Sequence, residues 1–144
     1  MWVVYALLAS IIWGFDYVLA EKLLKKISPA TLLSFELFFA TIAVFLFSLM
    51  GGRLVKDIST ITHSRQTGLF LFFGVLTFAL ANVLTAYSIQ TKNATLASLV
   101  EISYPLFIVL VGWILFREHA LSSSVLVGGI LIFIGIFVIF YFNK

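Results

Sequence analysis

Five apolar runs, each long enough to cross a bilayer, dominate the chain: Trp2–Ala20, Thr31–Met50, Gly68–Ile89, Ala94–Phe116 and Ser124–Phe142. A hydrocarbon core about 30 Å thick needs about 20 apolar residues of helix to span it. Inside that core the backbone must satisfy its own hydrogen bonds, which leaves only helices and closed barrels. Barrel strands alternate apolar and polar residues over about ten positions, and these runs do not alternate. The expected fold is therefore an all-α integral membrane protein with five transmembrane helices, read as one domain over residues 1–144. Composition agrees. With 62% hydrophobic and 10% charged residues, against about 25% charged in soluble domains, the chain lacks the polar surface to face water. Its first partner is the lipid bilayer.

The first run reads as a span and not as a cleaved signal peptide. It has no basic leader, is long for a signal core and carries Asp16. Met1 at the start and Lys144 after the last apolar run suggest a complete chain. The longest connection, Gly51–Thr67, spaces Leu54, Val55, Ile58 and Ile61 as a short helix in the headgroup plane would. An ordinary loop is the alternative at that length.

Several chemistries are excluded. With no cysteine there is no disulfide, thiolate metal site or cysteine nucleophile. His63 and His119 fall in connections far apart in sequence, without metal-ligand spacing. No cofactor is expected. The net charge of +3 comes from basic residues that flank apolar runs, a topology signal and not a nucleic-acid footprint. Arg53, Lys56, Arg65 and Arg117 fall on the amino-terminal side of the membrane, called side A; Lys22, Lys25, Lys26, Lys92 and Lys144 fall on the opposite side, B. Orientation follows the Lys/Arg difference between sides, and here the difference is one residue. Such a balance is what a dual-topology protein needs, with copies inserted both ways up. A fixed orientation set by a partner or by loop detail is the alternative.

Three of the six acidic residues, Asp16, Glu36 and Glu101, lie inside the apolar runs, and no Lys or Arg does. An aspartate at a helix centre costs about 2.5–3.5 kcal/mol to insert, so such residues mark function. Because helix direction alternates, all three fall toward side B, about 6–8 Å from the midplane at 1.5 Å per residue. Three acids at one depth suggest one cavity that binds protons or a cationic group. Separate snorkelling positions are the bland reading.

The neighbours follow helical spacing. In the fourth run Ala94, Ala97, Ser98, Glu101, Tyr104, Pro105, Ile108 and Gly112 form a small, polar stripe, the kind that faces a bundle interior. Pro105 removes a backbone hydrogen bond near mid-membrane and breaks the helix. Trp13 stands one turn from Asp16, and Asn82 shares a face with Thr85, next to Tyr87. Trp13, Tyr87 and Tyr104 offer π-faces to a cationic or aromatic ligand, or simply pack. Gly128, Gly129 and Gly135 read as a helix-packing or dimer face.

These landmarks together resemble the EamA-like branch of the drug/metabolite transporter superfamily. Ile11-Ile12-Trp13-Gly14-Phe15 is similar to the family's apolar-Trp-Gly signature, followed by Ser28-Pro29 at the start of helix 2. Ser103-Tyr104-Pro105, with Phe116-Arg117-Glu118 at the helix end, resembles its penultimate helix. Gly128-Gly129-Ile130-Leu131-Ile132 and Gly135 resemble its last. Glu36 departs from the pattern, standing where many members carry a basic residue. Most members have ten helices in two repeats, and this chain is one repeat. Five is odd, so a tandem copy is inverted, and a single repeat rebuilds ten helices only by pairing two copies in opposite orientations. The three-acid clusters would then lie about 12–16 Å apart.

The resemblance implies a non-enzymatic secondary transporter of small organic solutes such as amino acids, metabolites or drugs. The expected form is a proton-coupled exporter in the cell (inner or plasma) membrane, an antiparallel homodimer working by alternating access. The alternative is an accessory subunit of a heteromeric transporter or a lipid-linked flippase. A channel would need a ring of like residues around a pore. An intramembrane enzyme would need a constellation that the spans lack.

Overall fold

The computed structural model describes residues 1–117 and 123–142; Glu118, His119 and Lys144 lie outside the described residues. Among the described residues every regular element is a helix: α1 (Trp2–Leu24), α2 (Pro29–Met50), α3 (Leu54–His63), α4 (Arg65–Thr91), α5 (Ala94–Glu101), α6 (Tyr104–Phe116) and α7 (Ser123–Phe142). Helices α1, α2 and α4, and the stretch Ala94–Phe116 built from α5 and α6, are long and apolar enough to cross a membrane. Helix α7 adds the shorter apolar helix Val127–Phe142. The chain is an all-α multi-pass membrane protein, with four long apolar helices and a fifth, shorter one among the described residues.

Three features refine the expected spans. Helix α1 continues a turn past Ala20, where Glu21 and Lys25 form an i,i+4 pair at 3.8 Å that supports helix outside the hydrocarbon. The fourth run is two helices. Pro105 offers no N–H to the carbonyl of residue 101, so the chain tightens: Ser103 N–H bonds Val100 O at 3.2 Å and Leu106 N–H bonds Ser103 O at 3.0 Å. These three-residue steps separate α5 from α6 at Ile102–Ser103. Finally, Gly51–Thr67 contains a helix, α3, reached through Gly52 at φ 66°, a conformation that glycine takes without strain.

The helices form two compact units, Met1–Thr91 and Lys92–Lys144. In the first, the buried side chains are Ala20 and Leu24 of α1, Pro29, Leu32 and Leu33 of α2, and Ala86 and Ile89 of α4. All belong to the side-B ends of their helices. Toward side A the same helices expose nearly every side chain, including Phe38, Phe45, Phe73 and Leu76, as lipid-facing surfaces do. In the second unit Ala94 and Ala97 of α5 are buried, and Gly129 of α7 is buried against Leu106 of α6.

Candidate functional site

The end of α1 and the start of α2 are fixed locally. Ser28 caps α2, its Oγ accepting from Thr31 N–H at 3.2 Å, and Pro29 occupies the first turn, where its missing N–H costs nothing. That start puts Leu32 and Leu33 in the side-B plug and Glu36 one turn deeper. On α1, Asp16 precedes the buried Ala20 by one turn. On α4, Asn82 and Thr85 precede the buried Ala86 and Ile89. Asp16, Tyr17, Glu36, Asn82 and Thr85 are all half-buried. The polar residues of three helices thus share one level, directly above the packed apolar plug.

Within this unit Asp16 and Glu36 stand on helices that pack together, each one turn from the buried side chains of the plug. The apolar runs that carry them supply no Lys or Arg. Carboxylates in apolar runs without a basic partner mark candidate proton or cation sites. Trp13 meets Tyr17 edge-on, with ring centroids 6.2 Å apart, so part of its surface packs on its own helix. The Asn82 amide donates to Phe78 O at 2.8 Å, so one of its donor hydrogens serves α4 itself. Tyr87 is exposed.

Glu101, Ser98, Tyr104 and Pro105 belong to the second unit. Glu101 ends α5, Tyr104 begins α6, and the break between them falls beside the carboxylate. Asn93 starts α5, its Oδ1 accepting from Leu96 N–H at 2.8 Å, and Ser98 Oγ donates to Thr95 O at 3.0 Å. Tyr104 is exposed. Of the three glycines on α7, Gly129 alone meets a neighbour: a Cβ there would run into Leu106 Cδ2, whereas Gly128 and Gly135 face open space.

One residue that holds the plug together is absent from the sequence reading. Gln90 Nε2 donates to Leu24 O at 3.1 Å, tying the end of α4 to a carbonyl left over at the end of α1. Its signal was a long polar side chain at the close of an apolar run. Gln90→Leu should loosen the side-B plug by about 1 kcal/mol, the net worth of such a bond. A cysteine at Ala20 would then react several-fold faster with a water-soluble thiol reagent than in the parent; an unchanged rate would show that the bond does not hold the plug.

Comparison with known proteins agrees with this architecture. The model of the EamA-like transporter family matches residues 1–141. The chain belongs to the EamA-like transporter family. No curated protein matches it, and no solved structure does. Membership makes it a multi-pass membrane protein of a small-solute transporter family, and the half-buried carboxylates of α1 and α2 stand in its spans.

Proposed function

We propose that this EamA-like chain is a proton-coupled secondary transporter that exports small organic solutes across the cell membrane as an antiparallel, dual-topology homodimer. The observation that carries the reading is the placement of Asp16 and Glu36 at one level of two packed helices. Two half-buried carboxylates stand on neighbouring helices at the inner edge of an apolar plug, in apolar runs without a basic residue. Such a pair binds either protons or a cationic group of the solute, and competition between them couples the two flows. In the second unit Glu101 offers a further carboxylate, at the helix break made by Pro105. Trp13, Asn82 and Tyr87 shape the pocket beside this pair, and in the second unit Ser98 and Tyr104 flank Glu101 in sequence. Gly128 and Gly135 provide a face for the second copy, and opening and closing of the side-B plug supplies alternating access.

Orientation is tested with cysteines placed at Ser28, the cap of α2, and at Ser59 of α3, which lie at opposite ends of the second span. A membrane-impermeant thiol reagent added to intact cells should label each position in about half the molecules, because the Lys/Arg difference sets orientation and here is nearly nil. Labelling of only one position from outside would end the antiparallel homodimer and turn attention to a parallel assembly or a partner repeat.

A further inference from the structure

Helix α3 is unused by the transport reading, yet it is amphipathic, with Thr62 the one polar residue inside the apolar arc and its hydroxyl turned back to Ile58 O at 3.0 Å. At 3.6 residues per turn, Leu54, Val55, Ile58 and Ile61 fall within an arc of about 120°, and Lys56, Ser59, Thr60 and His63 lie opposite. The protein covers only one edge of the apolar arc. Leu54 and Ile61 are half-buried, with the Ile61 carbonyl facing Gly68 of α4. Val55 is 82% exposed and Ile58 49%.

Two further observations say what covers the other edge. Both ends of α3 are held at the membrane boundary, since α2 ends at Met50 and α4 begins at Arg65. The adjoining ends of those spans also expose apolar side chains, Phe47 and Met50 of α2 and Phe70 of α4. Arg53, Lys56 and Arg65 surround the helix, against a single acid, Asp57. From these we infer that α3 is a docking surface for anionic phospholipid. Val55 and Ile58 enter the acyl-chain boundary, and Arg53, Lys56 and Arg65 engage the phosphate headgroups of one leaflet. Interfacial amphipathic helices bind through this combination of apolar burial and headgroup charge.

The absence of native cysteine gives a direct test. A single cysteine is placed at Val55, Ile58 or Ser59 of the full chain and labelled with an environment-sensitive fluorophore. Each protein is reconstituted into phosphatidylcholine vesicles with and without phosphatidylglycerol. Labels at Val55 and Ile58 should be blue-shifted and quenched by acyl-chain spin labels, and a label at Ser59 should be quenched by aqueous iodide instead. Anionic lipid should increase the inserted fraction. Arg53→Gln and Lys56→Gln should each lower the ratio of inserted to free helix in those vesicles by about fivefold. Iodide access to Val55 and Ile58 would overturn the proposal by showing that the helix stands off the surface. Shielding from both quenchers would overturn it by showing that protein, such as a second copy, covers the face. Insertion equal in both vesicles would overturn the headgroup assignment.

Discussion

Asp16→Asn should abolish proton-driven solute accumulation while leaving the protein inserted and folded. A gradient of one pH unit supplies about 1.4 kcal/mol per proton, or about tenfold accumulation for one-to-one coupling. The parent in reconstituted vesicles should reach that order, and the variant should stop at equilibration. Stability should move the other way or not at all, because the substitution removes an ionisable group whose insertion costs about 2.5–3.5 kcal/mol. That opposition distinguishes a transport role from a structural one, for which activity and thermal stability would fall together. Solute exchange without a pH gradient separates two versions of the role. If Asp16 carries only the proton, exchange persists in Asp16→Asn. If it also binds a cationic group of the solute, exchange is lost as well. Asp16→Glu, which keeps the carboxylate on a longer stem, should retain partial coupling. Glu36→Gln should weaken coupling by removing the second half-buried carboxylate at that level. Full accumulation by Asp16→Asn would remove the carboxylate pair from the mechanism.

The spans were legible because bilayer thickness translates directly into a count of apolar residues. Where they were incomplete the cause is local: Glu21 and Lys25 carry α1 beyond the hydrocarbon, and Pro105 divides the fourth run. Counting along alternating helices also places Asp16 and Glu36 beside the same buried residues, since position along a helix axis is one-dimensional. Lateral packing is not. Leu24, Leu32 and Leu33 are buried in the plug, whereas Leu7, Leu8 and Leu46 are exposed, and nothing in an apolar side chain distinguishes a protein neighbour from a lipid one. Polar side chains mislead differently. Asn82 shares the level of the acids, yet its amide turns back to Phe78, a bond that the backbone offers any such side chain on a helix.

The clearest case is Gly128 and Gly129, adjacent and chemically identical, and it yields the second large effect. Gly129→Leu should lower the stability of the folded protein by about 1–3 kcal/mol, the usual cost of overpacking a filled contact, because even a Cβ at that position runs into Leu106 Cδ2. Leu106 is a flexible side chain that can swing away from a methyl group, so Gly129→Ala should cost much less. Leu106→Ala combined with Gly129→Leu should recover most of the loss, a coupling expected only for residues in contact. Additive losses in that double variant, read by thermal unfolding in detergent, would disprove the α6–α7 contact. Gly128→Leu and Gly135→Leu enter open space in the single chain and should leave protomer stability nearly unchanged. If their face receives the second copy, close backbone approach through small residues is what holds it. The same two substitutions should then abolish cross-linked dimer and transport together. Dimer that survives both would place the partner elsewhere on the chain and leave the two glycines facing lipid.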